Sequence, residues 1–375
     1  MAIPDPARPA PAWPFWAVLL LPPLEVLGAL RGGWSVLLVP ACAFVLVGLL
    51  DRALPPDRSN PAPGAPDRLD GHILLLRIWP PIQALTLFWT LWYAARAPHL
   101  GFWEFYFLFY GMGALTGAIG IVYAHELMHR ASRADRWRAD LLLAMVLYSH
   151  FRSEHLLVHH VAVATPRDAV TARYNEGFPH FFWRVLRECP RSAWRAEARR
   201  LTRQGRSAFA RANPFWRYAA LQGTMLALAL LLAGPIGLLL FLWQALVAIW
   251  MLELTNYIEH YGLTCKYLGG GRFEPPRAHH SWNAPQRASN RLLINLQRHS
   301  DHHGRPDRPY PLLQLPGRDI APELPLGYPA MAFLAAIPPL WRRRMNPAVR
   351  AWRKRHYPEI TDWQPYKTGR HPGLD

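Results

Sequence analysis

Residues 102–130 read FWEFYFLFYGMGALTGAIGIVYAHELMHR, and this stretch decides the architecture. Between Phe102 and Ala124 a single charged side chain, Glu104, interrupts the apolar run. As a helix the run is long enough to cross the roughly 30 Å hydrocarbon core of a bilayer. At its end stand His125 and His129, four residues apart and so on one face of the same helix. A membrane span that finishes in paired imidazoles sets polar, metal-competent groups at the membrane boundary.

Working outward, similar apolar segments occupy 14–30, 34–50, 73–95, 218–233 and 235–254. The first is broken by Pro22, Pro23 and Glu25, and no cationic stretch with a small-residue cleavage site precedes it, so it is expected to be a retained helix. The third carries Arg77 and Pro80–Pro81, which predicts a kinked helix packed against protein rather than lipid. The expected fold is an all-α integral membrane protein of about six transmembrane helices, with a cytoplasmic histidine-rich cap for two metal ions. Three divisions follow: 1–70, with a proline-rich tail, the first helical hairpin and a connector; 71–315, the membrane domain that carries the histidine groups; and 316–375, a C-terminal cytoplasmic region.

The chain has 375 residues and a formal net charge of +17, and 39 of its 42 basic residues are arginine. Arginines follow the fourth span (Arg130, Arg133, Arg136, Arg138), fill 184–211 and follow the sixth span, whereas the loop at 96–101 and the Gly234 turn carry almost none. Positive-inside bias therefore places both termini and the long polar segments in the cytoplasm, against the inner membrane of a bacterial-type cell, and suits the basic face to anionic lipid. No basic helix or aromatic-basic motif stands apart from the membrane flanks, so no nucleic-acid partner is expected. The stretch 183–211 alternates apolar and arginine positions at helical spacing, as an interfacial helix or a solvated charged one would. Three cysteines, Cys42, Cys189 and Cys265, make neither a disulfide scaffold nor a thiolate metal site.

The chemistry lies in four histidine groups holding nine of the 17 histidines: His125 and His129; His155, His159 and His160; His260 within NYIEHYG; and His299, His302 and His303. His260 lies just past the sixth span as His125 lies past the fourth, and an intervening hairpin returns the chain to the same side. All four groups can therefore converge. Nine imidazoles exceed the coordination of one ion, so two are needed, and neutral imidazole alone suits iron, zinc or copper. Each group also holds a carboxylate, Glu126, Glu154, Glu259 or Asp301, expected to accept the remaining N–H of a ligand histidine. HELMH also fits the zinc-protease pattern, but that reading leaves three groups unexplained. A proton-coupled metal transporter would hold its histidines inside the spans.

The boxes HELMHR, EHLLVHH, NYIEHYGL and LQRHSDHH closely resemble those of the membrane alkane 1-monooxygenase family, within the larger fatty acid desaturase and hydroxylase group. VATP at 163–166 and HSWN at 280–283 resemble it too, and the likeness covers roughly residues 72–315. It implies a six-helix fold and two non-haem iron ions held by His125, His129, His155, His159, His160, His260, His299, His302 and His303. It also implies insertion of one oxygen atom of O2 into a terminal C–H bond of an alkyl chain lying in an apolar slot, to which aromatics of spans two to four are expected to contribute. The alternative on the same centre is a lipid desaturase or another lipid hydroxylase. No Cys-x-x-Cys pair is present, so the resemblance implies a separate rubredoxin, or similar small iron–sulfur donor, with an NAD(P)H-dependent reductase. Two positions depart from the family: Val158 stands where it usually has glycine and Arg130 where it usually has lysine. The valine is expected to narrow the substrate end or shift the metal geometry.

Overall fold

The computed structural model describes residues 9–62, 69–364 and 366; parts of the expected N-terminal tail and of the 51–70 connector lie outside them. Among the described residues, five helices are long and apolar enough to cross a membrane: α1 Trp13–Arg31, α2 Gly33–Ala53, α3 Asp70–Ala94, α4 Phe102–His129 and α5 Pro214–His260. This is the architecture of an integral membrane protein.

Helix α5, at 47 residues, is too long for one crossing and reverses at Gly234. Near its start it meets the segment of the second histidine box, Tyr218 Oη lying 3.0 Å from Ser153 Oγ, and its last residue is His260. Its middle lies at the opposite end, where Arg96 from the 96–101 loop donates to the carbonyl of Leu232 at 2.8 Å. Gly234 adopts φ 62°, ψ −161°, and Gly32, between α1 and α2, adopts nearly the same angles, φ 64°, ψ −159°. Only glycine occupies that region without strain, so each hairpin turns on a residue that must lack a Cβ. Counting α5 as two passes, the helices supply the six expected crossings.

The first segment is helical as expected: Ala17–Leu20 tightens to 3-10 geometry, and Pro22 and Pro23 then fall in the first turn of Leu21–Arg31, where their missing N–H groups cost nothing. Helix α3 runs unbroken through Pro80 and Pro81. Arg77, on its flank, does pack against protein: Nε and Nη2 bind the two oxygens of Asp135 at 2.9 and 3.0 Å. Helix α6, Phe178–Thr202, ends before the predicted 211, and its apolar face, including Phe181, Val185 and Cys189, is buried against the bundle. Departures from an all-helical fold among the described residues are small: a two-stranded hairpin, Tyr267–Gly269 with Arg272–Phe273, and a single parallel β-bridge between Asn283 and Glu323.

The C-terminal residues are not a separate body. Tyr328 donates to Glu259 at 2.7 Å, and Arg353 Nη2 donates to the Gly262 carbonyl at 2.7 Å, so this region closes over the segment that carries His260.

Candidate metal centre

Among the described residues three segments wind as π-helix: Ala41–Leu46 in α2, Leu115–Ile121 in α4 and His155–His159. A wider turn brings residue i+5, not i+4, over residue i. That local choice sorts the histidines. His155 and His160 fall on one side, their Nε2 atoms 2.9 Å apart, while His159 faces the other way.

All nine histidines come together, in two groups. His125, His129, His155, His160 and His302 form one, and His159, His260, His299 and His303 the other; within each, the candidate ligand atoms lie within 4.8 Å of one another. Opposite imidazoles on a single ion, each at about 2.1 Å, stand about 4.2 Å apart, so both groups have the size of a coordination sphere. The fourth box divides as well. His299 and His303, one α-turn apart, join the second group, and His302 crosses to the first.

The polarity of these groups points to cations. Ring nitrogens face ring nitrogens: His155 to His129 at 3.1 Å, His302 to His160 at 3.2 Å, and His299 to both His260 and His303 at 3.0 Å. Nε2 of His125 is buried with no hydrogen-bond partner among the described residues. Protons cannot resolve this crowding. Burial, and then the neighbouring imidazoles, hold His155, His299, His302 and His303 well below the usual histidine range, and His160 falls to about 2. Neutral imidazoles converging on a point fit a bound metal ion.

The carboxylates are placed differently from expectation. Glu126 accepts from the Tyr310 amide at 3.3 Å, and Asp301 accepts from Arg308 at 2.8 and 2.6 Å and from the Gln314 amide at 2.9 Å; both secure the loop after the fourth box. Glu154 is buried with no histidine partner. Glu259 approaches Nε2 of His299 at 3.4 Å, the same atom that faces His260 and His303. It therefore lies on the side of His299 that faces the other imidazoles, not behind the ring as an outer support. The carboxylate that does support a ring is Asp168, which accepts from His159 Nδ1 at 3.0 Å and from Thr171 Oγ1 at 2.7 Å. Burial opposes its charge, but His159 and Thr171 hold its carboxyl below the usual range. That bond fixes the tautomer and leaves His159 Nε2 for the centre.

HSWN clamps two boxes together. The Trp282 amide donates to the Glu259 carbonyl at 2.9 Å, and Asn283 Oδ1 accepts from the Ser300 amide at 3.0 Å. A further group, Glu274, His279 and His280, also brings donor atoms close. The Tyr357 hydroxyl sits among them, 3.0 and 2.7 Å from Nε2 of His279 and His280 and donating to Glu274. It fills the place an ion would need, so this network is complete with its own protons.

An apolar cavity leads to the centre. His125, His155 and His299 line one end, and Ala43, Phe44, Gly117 and Met251 line it farther along the helices. Along α4, Gly117 to His125 spans about 12 Å of helix. Of spans two to four, Phe44 is the sole aromatic in the lining; the rest is aliphatic or small. Val158 is buried but does not line this cavity, so it does not narrow it. Arg130 points its Nε to Asp135 at 3.4 Å.

Membrane-crossing helices capped by two imidazole groups define a histidine-box membrane protein able to bind metal. Comparison with known proteins agrees. The fatty acid desaturase family model matches residues 101–335. The chain is 38% identical over 333 residues to alkane 1-monooxygenase 1 of Pseudomonas aeruginosa, covering 85% of this chain and 84% of that one. It is 37% identical over 327 residues to alkane 1-monooxygenase 1 of Alcanivorax borkumensis, covering 85% and 80%. A more distant relative is the xylene/toluene monooxygenase hydroxylase component of Pseudomonas putida, 28% identical over 64% of each chain. The chain belongs to the fatty acid desaturase family and, within it, to the alkane 1-monooxygenases.

Proposed function

We propose that this chain hydroxylates a terminal C–H bond of an n-alkane or similar alkyl chain, using O2, two electrons and two protons to give a primary alcohol and water. The observation that carries the reading is the apolar cavity ending on His125, His155 and His299, at the meeting point of both imidazole groups. Residues 71–315 form the catalytic unit, and the nine histidines hold two non-haem irons on the cytoplasmic side of the inner membrane. When bound, the irons supply O2 activation sufficient to attack an unactivated methyl group.

The protein's own part is positional. The small and aliphatic lining from spans two to four gives an alkyl chain no specific anchor, so the chain is held there by shape and by exclusion of water. Asp168 orients His159, and HSWN fixes the third box against the fourth. Electrons come from a rubredoxin or a similar acidic iron–sulfur protein, reduced by an NAD(P)H-dependent partner and steered by the basic face.

Product analysis tests the proposal. Membranes containing the chain, supplied with rubredoxin, its reductase, NADH, 18O2 and n-alkanes of several lengths, are expected to form labelled primary alcohols. New double bonds in membrane fatty acids without any alkanol would replace the proposal with desaturation.

A further inference from the structure

Behind the second histidine box lie two adjoining clefts that the reaction does not use. One, of about 440 Å³, is lined by Arg152, Arg200, Arg211 and Arg217 together with Ser153 and Tyr218. The other, of about 170 Å³, shares Arg152 and Arg217 and adds Arg133, Arg136 and Trp137. Among the described residues six guanidinium groups meet two carboxylates there: Asp140, paired with Arg152 at 2.7 Å and Arg217 at 3.0 Å, and Glu197, paired with Arg200 at 2.7 Å. Among the described residues Arg133 and Arg211 make no ion pair, and Nε of Arg217 is buried without a hydrogen-bond partner. Such an excess of donors around a recess is built for an anion with several oxygens.

Location selects which anion. Arg217 stands in the first turn of α5, where that helix enters the membrane. Trp137, Phe209 and Trp216 beside it are 44%, 68% and 54% exposed, and α5 beyond it exposes Leu230 and Leu231. A soluble phosphate would use the arginines and leave this apolar rim idle. A phospholipid uses both, with its phosphate between the arginines and its acyl chains along α5. We propose that these clefts bind the headgroup of an anionic phospholipid. The site touches the metal centre through the chain itself, since Leu156 and Leu157, in the turn between His155 and His159, form one cleft wall.

The test uses the full-length, metal-loaded chain in detergent, with native mass spectrometry counting bound phosphatidylglycerol against phosphatidylcholine. The wild type is expected to retain phosphatidylglycerol selectively. The double variant R133Q/R211Q, which breaks no internal ion pair, is expected to weaken that binding by about thirtyfold. R343Q/R344Q, on exposed arginines away from the clefts, should bind as the wild type does. Melting temperature and iron content of each variant check that folding is intact. Equal retention of the two lipids by the wild type, or equal loss in both double variants, would overturn the site. Displacement of the lipid by millimolar inorganic phosphate alone would reassign it to a soluble anion.

Discussion

His159 and His160 are neighbours in the chain, yet they serve different groups. His160 lies 2.9 Å from His155 in the five-histidine group, and His159 stands with His260, His299 and His303. The π-turn over His155–His159 produces this divergence. Because one group has five imidazoles and the other four, their tolerance to loss should differ. His129→Ala is expected to leave four ligands and retain two irons per chain with reduced affinity. His303→Ala leaves three and is expected to retain about one iron. Iron analysis of the two purified variants checks this, and equal loss in both would contradict the division.

Asp168→Asn keeps the shape of the side chain but removes the charge that holds His159 in its tautomer. Iron affinity of the four-histidine group should fall by about 10–100-fold. A chelator-competition titration should show one site weakened and the other unchanged. Glu126→Gln, by contrast, acts on the Tyr310 loop and should leave both affinities near wild type.

The boxes, their order and their convergence were legible in the sequence because spacing and topology constrain them directly. Their partner carboxylates were not. On a helix, adjacent side chains point about 100° apart, so a carboxylate next to a histidine in sequence is poorly placed to bond it. Glu126 and Asp301 accordingly turn to the 308–314 loop, and Glu259 reaches His299 rather than its neighbour His260. Asp168 is eight residues past His160, just beyond VATP, and only the fold brings it back to His159. Nor could the five-and-four division be read from spacing, since an α-helix would have paired His155 with His159.

Asp135 is buried beneath Arg77, Arg130 and Arg138. Burial alone would raise its pKa, but Arg77 first, then Arg130 and Arg138, hold the carboxyl below its usual range. A depressed carboxyl stabilises the fold above its unfolded-state pKa, about 3.9, and loses that contribution as pH falls through the folded value. Asp135→Asn should therefore cost about 2–3 kcal/mol near neutrality. Its deficit against wild type should shrink as pH falls below about 4. Thermal unfolding in detergent from pH 8 to pH 3 measures both.

The cavity makes a separate prediction. Gly117 packs so closely on Ala248 that an added Cβ would lie 2.6 Å from its Cα. Gly117→Ala should force α4 and the second half of α5 apart, lowering stability by about 1–3 kcal/mol and activity with it. Phe44→Ala, by contrast, widens the lining two spans away, and should shift the alkane length profile without changing iron content. Gas chromatography of products from an alkane mixture reads the shift.

Electron delivery should depend on salt. With the iron–sulfur donor limiting, raising ionic strength from 0.05 to about 0.5 M shortens the Debye length several-fold and should slow turnover. Turnover that ignores salt would leave the arginines to membrane topology and lipid.

The most direct test of the account is the metal content of the purified wild-type chain, with Mössbauer spectroscopy of 57Fe-enriched protein. Two irons per chain in two inequivalent histidine environments are expected. A single ion per chain would contradict the two-group centre, and two zinc ions with no iron in an active preparation would contradict its assignment to iron.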